Sequence, residues 1–156
     1  FMIKDINPGN NSSNPTGPMK EMNGFIYFSA NDGVHGYELW RTDGTEAGTT
    51  MVKDVRQGEN SSLDWGSTAH WHGENALAHG DHLYFSANDG ENGEELWRTD
   101  GTDAATTLIV DANQGETGSW PWWFRASGDK IYFTSWDGDQ RQLWHYWDNP
   151  GPVISM

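Results

Sequence analysis

Three loops of this sequence gather oxygen donors between glycines. They are "NDGVHGYE", with Asn31, Asp32 and Glu38; "NDGENGEE", with Asn88, Asp89 and Glu94 or Glu95; and "WDGDQRQ", with Asp137 and Asp139. A hard cation such as calcium takes several oxygen ligands, so Asp32, Glu38, Asp89, Glu95, Asp137 and Asp139 are the candidate calcium ligands. Their spacing is not that of an EF-hand or a nonapeptide calcium repeat. Asn-Asp-Gly also makes a turn unaided, with the Asp side chain capping its own backbone. A second metal chemistry is offered by His70 and His72: a His-x-His pair on one strand face can hold zinc or copper, with His79 or His82 completing the set. Against it, His82 stands where Phe25 and Lys130 stand in the other copies of the segment, a variable surface position.

The other chemistry is aromatic. The chain holds ten Trp. Trp40, Trp97 and Trp144 recur at one position of a repeated segment, which marks them as core. Trp65 and Trp71, and Trp120, Trp122 and Trp123 of "SWPWWF", fall outside the repeated frame. Indole faces stack on sugar rings while neighbouring polar groups bond hydroxyls, so these five are the candidate ligand-binding residues. Trp is also enriched where proteins meet, and a packing seam with another copy of the chain is the competing reading. Arg41 with Asp43, and Arg98 with Asp100, read as scaffolding, the Arg pairing locally or covering Trp40 and Trp97. There is no nucleophile elbow, phosphate loop or unusual carboxylate pair, so the expectation is a protein that is not an enzyme; a propeller-type hydrolase is the third reading.

The elements that must position these residues are repeats. "IKDINPGNNSS", "VKDVRQGENSS" and "IVDANQGETGS" begin at 3, 52 and 109; "GFIYFSANDG", "DHLYFSANDG" and "DKIYFTSWDG" at 24, 81 and 129; "ELWRTDGT", "ELWRTDGT" and "QLWHYWDN" at 38, 95 and 142. The units run over about 1–50, 51–107 and 108–156, the second with a loop insertion at 66–79. Each reads as four short strands with no helical period. Asn23-Gly24 between apolar runs is a hairpin signal, and Gly80-Asp81 and Gly128-Asp129 hold the same place. Connections too short for a crossover helix predict antiparallel meanders. In "FIYF" both alternating faces are apolar, which predicts sheets covered on both sides. Tandem four-stranded sheets stacked face to face are the blades of a β-propeller, open or completed by another copy; a stacked-sheet or solenoid β-repeat is the alternative.

The opening "FMIKDI" matches the last strand of a unit, so the chain reads as a piece that starts inside a repeat. Either that strand closes the third sheet of another copy, or "PVISM" supplies the third unit's own last strand and "FMIKDI" belongs to a preceding unit.

"YELWRTDGTEAGT" and "EELWRTDGTDAAT", each preceded by "YFSANDG" and followed by "VKD" or "IVD", resemble the ELWxxDGT-type tandem repeats of large bacterial secreted and cell-surface proteins. The third unit departs from the pattern at Gln142, His145 and "YWDN", as a terminal or capping repeat would. The resemblance implies an exported, repetitive, non-catalytic protein of the extracellular space or cell surface, and brings no catalytic residues with it.

Composition narrows the partners. Twenty-three acidic residues against nine Lys and Arg give a net charge of −14 with no basic run, which argues against nucleic acid. No cysteine is present for a disulfide framework or thiolate metal site, and no stretch nears the ~20 apolar residues of a membrane helix. The expected function is a non-catalytic extracellular module for adhesion or surface assembly that binds a glycan through its Trp-rich loops; the alternative is a structural protein self-assembling into a ring, fibre or sheath. In either case the partners are glycans or other copies of the chain, as a homo-oligomer or within a longer repeat protein, and calcium is the one candidate cofactor.

Overall fold

Asn23 and Gly24 reverse the chain in two residues, at φ 54° and 80°, the doubly left-handed geometry of the tightest hairpin turns. Met22 pairs with Phe25 across this turn, His79 with His82 across Gly80-Asp81, and Ser127 with Lys130 across Gly128-Asp129. In a computed structural model, which describes residues 1–63, 75–147 and 154–155, these hairpins open three four-stranded antiparallel meanders. The first is β1 (Thr16–Met22), β2 (Phe25–Asn31), β3 (Tyr37–Thr42) and β4 (Thr50–Lys53). The second is β5 (Ala76–His79), β6 (His82–Asn88), β7 (Glu94–Thr99) and β8 (Thr107–Val110). The third is β9 (Trp122–Ser127), β10 (Lys130–Trp136), β11 (Arg141–Trp147) and β12 (Ile154–Ser155). The described residues are all-β, without a helix.

Three sequence expectations need correction. Ala76–His79, read as part of a loop insertion, form β5, the first strand of the second sheet. Residues 1–6 form no strand, and β12 fills the fourth place of the third sheet, with Trp144 opposite Ser155 and His145 opposite Ile154. Of the two strand counts, the structure has the one in which the third sheet has its own last strand. Finally, "FIYF" is covered on both faces only in part: Tyr27 is buried against the second sheet and Phe28, on the other face, is buried with Ile6 and Met51 packed against its cluster, but Ile26 is exposed, because among the described residues only the second sheet has a sheet on either side.

The core has two seams between sheets and a smaller cluster on the first sheet's outer face, where Phe28, Ala30 and Trp40 are buried with Ile6 and Met51 packed against them. Alternate residues of a strand face opposite ways, so Tyr27 and Leu39 of the first sheet meet Leu83, Phe85, Ala87 and Trp97 of the second. Tyr84 and Leu96, on the other face of the second sheet, meet Phe124, Ile131 and Phe133 of the third. Trp144 stacks on Phe133 at 6.5 Å between centroids. The first strands are also neighbours, β5 touching both β1 and β9.

The "TDGT" corner shared by the first two units is wired by hydroxyls. The Thr42 and Thr49 hydroxyls bond at 2.7 Å, Thr49 Oγ1 donates to the Thr45 carbonyl at 2.6 Å, and Asp43 Oδ1 accepts from Thr45 N at 2.9 Å. Thr99, Thr106, Thr102 and Asp100 repeat these bonds. Arg41 does not cover Trp40, from which strand alternation turns it away; its guanidinium lies over Phe25, 4.5 Å from the ring centroid.

Candidate functional site: a tryptophan cleft on the third sheet

Two buried glutamates hold the linkers between sheets. Glu38 is fully buried on β3 and accepts from Val55 N at 3.1 Å, Ser62 N at 3.0 Å and Ser62 Oγ at 2.5 Å. Glu95 on β7 does the same for the next linker, accepting from Ala112 N at 3.0 Å, Asn113 N at 3.4 Å and Ser119 Oγ at 2.5 Å. Burial pushes each carboxyl up to about 7, against the donors that favour its charged form.

The second latch sets Trp120. Ser119 N and Trp120 N both donate to the Glu94 carbonyl, at 3.0 and 2.9 Å. The Ser119 carbonyl in turn accepts from Trp136 N at 2.7 Å and Ser135 Oγ at 3.2 Å. One anchored serine therefore fixes the backbone at both Trp120 and Trp136. Trp120 sits at φ 51° and Trp123 at φ 62°, a region that costs bulky L-residues about 1–2 kcal/mol and that tends to persist at functional sites. Trp123 lies in a bulge of β9 opposite Phe133.

Trp120 and Trp136 line one cleft with Thr117, Gly118 and Arg141. Arg141 is held in place: its Nη1 donates to Thr134 Oγ1 at 3.2 Å and to the Trp120 carbonyl at 3.4 Å, and its guanidinium lies 5.0 Å from the Trp122 ring centroid. The cleft thus offers two indoles, a fixed cation and a hydroxyl, and among the described residues its lining has no carboxylate, imidazole or thiol. It can stack on a flat apolar ring and donate hydrogen bonds.

Of the five candidate tryptophans, the structure brings Trp120 and Trp122 together around Arg141, and leaves Trp123 61% exposed beside them. Trp65 and Trp71, with His70 and His72, lie outside the described residues. Trp136 and Arg141 were missed by the sequence reading, although a signal was there: Trp136 stands where the other units have Asn31 and Asn88, and Arg141 where they have Tyr37 and Glu94.

The acidic loops spend their oxygens on themselves. Asp32 Oδ1 accepts from Val34 N and His35 N, both at 2.9 Å, and its Oδ2 meets His35 Nδ1 at 2.7 Å. Asp89 Oδ1 accepts from Glu91 N and Asn92 N, and Asp137 Oδ1 from Asp139 N and Gln140 N. Burial alone would raise Asp32 and Asp89, but His35 and the loop donors outweigh it and hold both below the usual range; backbone amides lower Asp137. Glu38 and Glu95, expected beside these loops as calcium ligands, are instead bound to the linkers. Among the described residues no three His, Asp or Glu side chains come together as a metal site.

A scan against protein-family models finds no match to this chain, and a search of curated proteins finds none either.

Proposed function

We propose that the chain is a non-catalytic carbohydrate-binding module built of propeller-type blades, and that the Trp120–Trp136–Arg141 cleft takes a saccharide. One observation carries the reading: two indoles, one exposed at 49% and held at a positive φ, share a cleft with a guanidinium already fixed by two hydrogen bonds. Preorganised aromatic faces beside a hydrogen-bond donor suit a sugar, whose ring faces are apolar and whose rim is hydroxylated. The blade arrangement is supported by the three like sheets and by the contacts of β1, β5 and β9, as the inner strands of adjacent blades would make. An extracellular or cell-surface role in adhesion rests on the resemblance of the repeats alone.

The test is a glycan array followed by calorimetry on any ligand found. Trp120→Ala and Trp136→Ala should each weaken binding about tenfold or more, the loss of one stacking contact. Glycan binding that neither substitution alters would sink the assignment to this cleft.

A further inference from the structure

We propose that copies of this chain associate head to tail, the outer face of the third sheet of one copy docking on the outer face of the first sheet of the next. The occupant is written in the two internal seams, which are one seam made twice. In each, the Tyr and Leu of one sheet (Tyr27 and Leu39, then Tyr84 and Leu96) pack on the next sheet's apolar residues at the "L/I-Y-F" strand (Leu83 and Phe85, then Ile131 and Phe133). The ends of the stack carry the two unmatched halves. Leu143, the third-sheet counterpart of Leu39 and Leu96, is 47% exposed where they are 1% and 0%. Ile26, the first-sheet counterpart of Leu83 and Ile131, is 37% exposed where both are 0%. At these two positions residue type is kept while burial is lost, in opposite halves at opposite ends; beside Ile26, Phe28, Ala30 and Trp40 stay buried, with Ile6 and Met51 packed against them.

The corner residues agree. A Cβ built on Gly101 would collide with the Tyr27 hydroxyl and meet Arg41 Nη1 at 2.9 Å, so the first sheet reaches the second sheet's "DGT" corner across the seam. Gly44, at the same point of the first sheet's corner, has nothing within 4 Å of its Cβ position. Tyr132 of another copy stands where Tyr27 stands in this contact. Beside it, Ile26 and Phe28 border an apolar groove with Phe1, Met2, Ile3 and Met19. Because the two faces differ, the contact is heterologous and builds either a closed ring or a filament. The charge of −14 per copy opposes association and is screened by salt.

The experiment is analytical ultracentrifugation of the whole chain over a concentration series at raised salt. The expected result is a mass of two or more copies. Leu143→Glu and Ile26→Glu, at positions open enough in one copy for each variant to keep its melting profile, should each abolish association alone. Mixed, they should form a 1:1 dimer, since each retains the face the other has lost. A wild-type chain that stays monomeric throughout, a single variant that still dimerises with itself, or a mixture that stays monomeric would each overturn the proposal.

Discussion

The second and third sheets share their opening hairpin and the register of their two central strands, yet only one is closed on both faces. Phe85 pairs with Trp97 and Phe133 with Trp144 in matching places. At four other matched positions the side chains change: Asn88 to Trp136, Glu94 to Arg141, Glu95 to Gln142 and Arg98 to His145. In the second sheet Glu95 of this set clamps a linker; in the third Trp136 and Arg141 line a cleft. The frame tolerates the exchange because strand pairing uses backbone groups alone. The largest way to break the comparison is to remove the clamp. Glu95→Ala leaves Ala112 N, Asn113 N and Ser119 Oγ without their buried acceptor, at about 1–3 kcal/mol for each orphaned group; urea unfolding should show a loss of about 3 kcal/mol or more. Gln142→Ala, at the matching position, where no linker is held among the described residues, should cost under about 1 kcal/mol. Equal losses would show that the glutamate is not a latch.

The same contrast has a pH dependence. Glu38 and Glu95, raised from 4.5 to about 7 by burial and further by Asp54 and Asp111, keep a proton when folded that the unfolded chain has released. Their contribution to stability is therefore full below about pH 4.5 and is lost as pH rises to about 7. His35, raised by Asp32, acts in the same direction at higher pH. Asp32, Asp89 and Asp137, lowered from 3.8, contribute stability above that value and lose it as pH falls. The denaturation midpoint should peak between these windows and decline towards neutrality. Glu38→Gln/Glu95→Gln should flatten the decline, whereas Gln142→Glu, on the more open sheet, should leave the slope close to wild type. A midpoint that rises from pH 5 to 7 in the wild type would contradict the buried carboxyls.

What the sequence made legible was local. Asn23-Gly24 and its two counterparts announce hairpins because few residues accept a left-handed φ, and the "TDGT" corner repeats because its hydroxyls and carboxylate bond within one turn. The roles of Glu38 and Glu95 were not legible. They follow "NDG" closely, and in sequence that looks like one acidic cluster; their partners are 17 and 24 residues away, on the far side of a corner. Exposure was hidden for the same reason. Leu39, Leu96 and Leu143 occupy one motif position, and only the order of the sheets leaves the last uncovered. Trp136 was not legible because it stands inside a repeated segment, at the position of Asn31 and Asn88.

The smallest effect concerns the bulge that distinguishes β9 from β5. In the second sheet Ala76 pairs directly with Phe85, whereas in the third the register shifts opposite Phe133 and Trp123 takes φ 62°. Ala76→Gly, at a buried site with ordinary backbone, should cost about 1–2 kcal/mol, from the entropy of the unfolded chain and the loss of a buried methyl. Trp123→Gly pays the same entropy but is released from a left-handed conformation worth about 1–2 kcal/mol, and gives up a ring that is mostly in solvent. Its stability should therefore be unchanged or up to about 1 kcal/mol higher. Ligand affinity in the cleft should hold to within about threefold, since Trp123 does not line it. If Trp123→Gly instead unfolds as readily as Ala76→Gly, the indole contributes packing that its exposure conceals, and the bulge belongs to the frame rather than to the site.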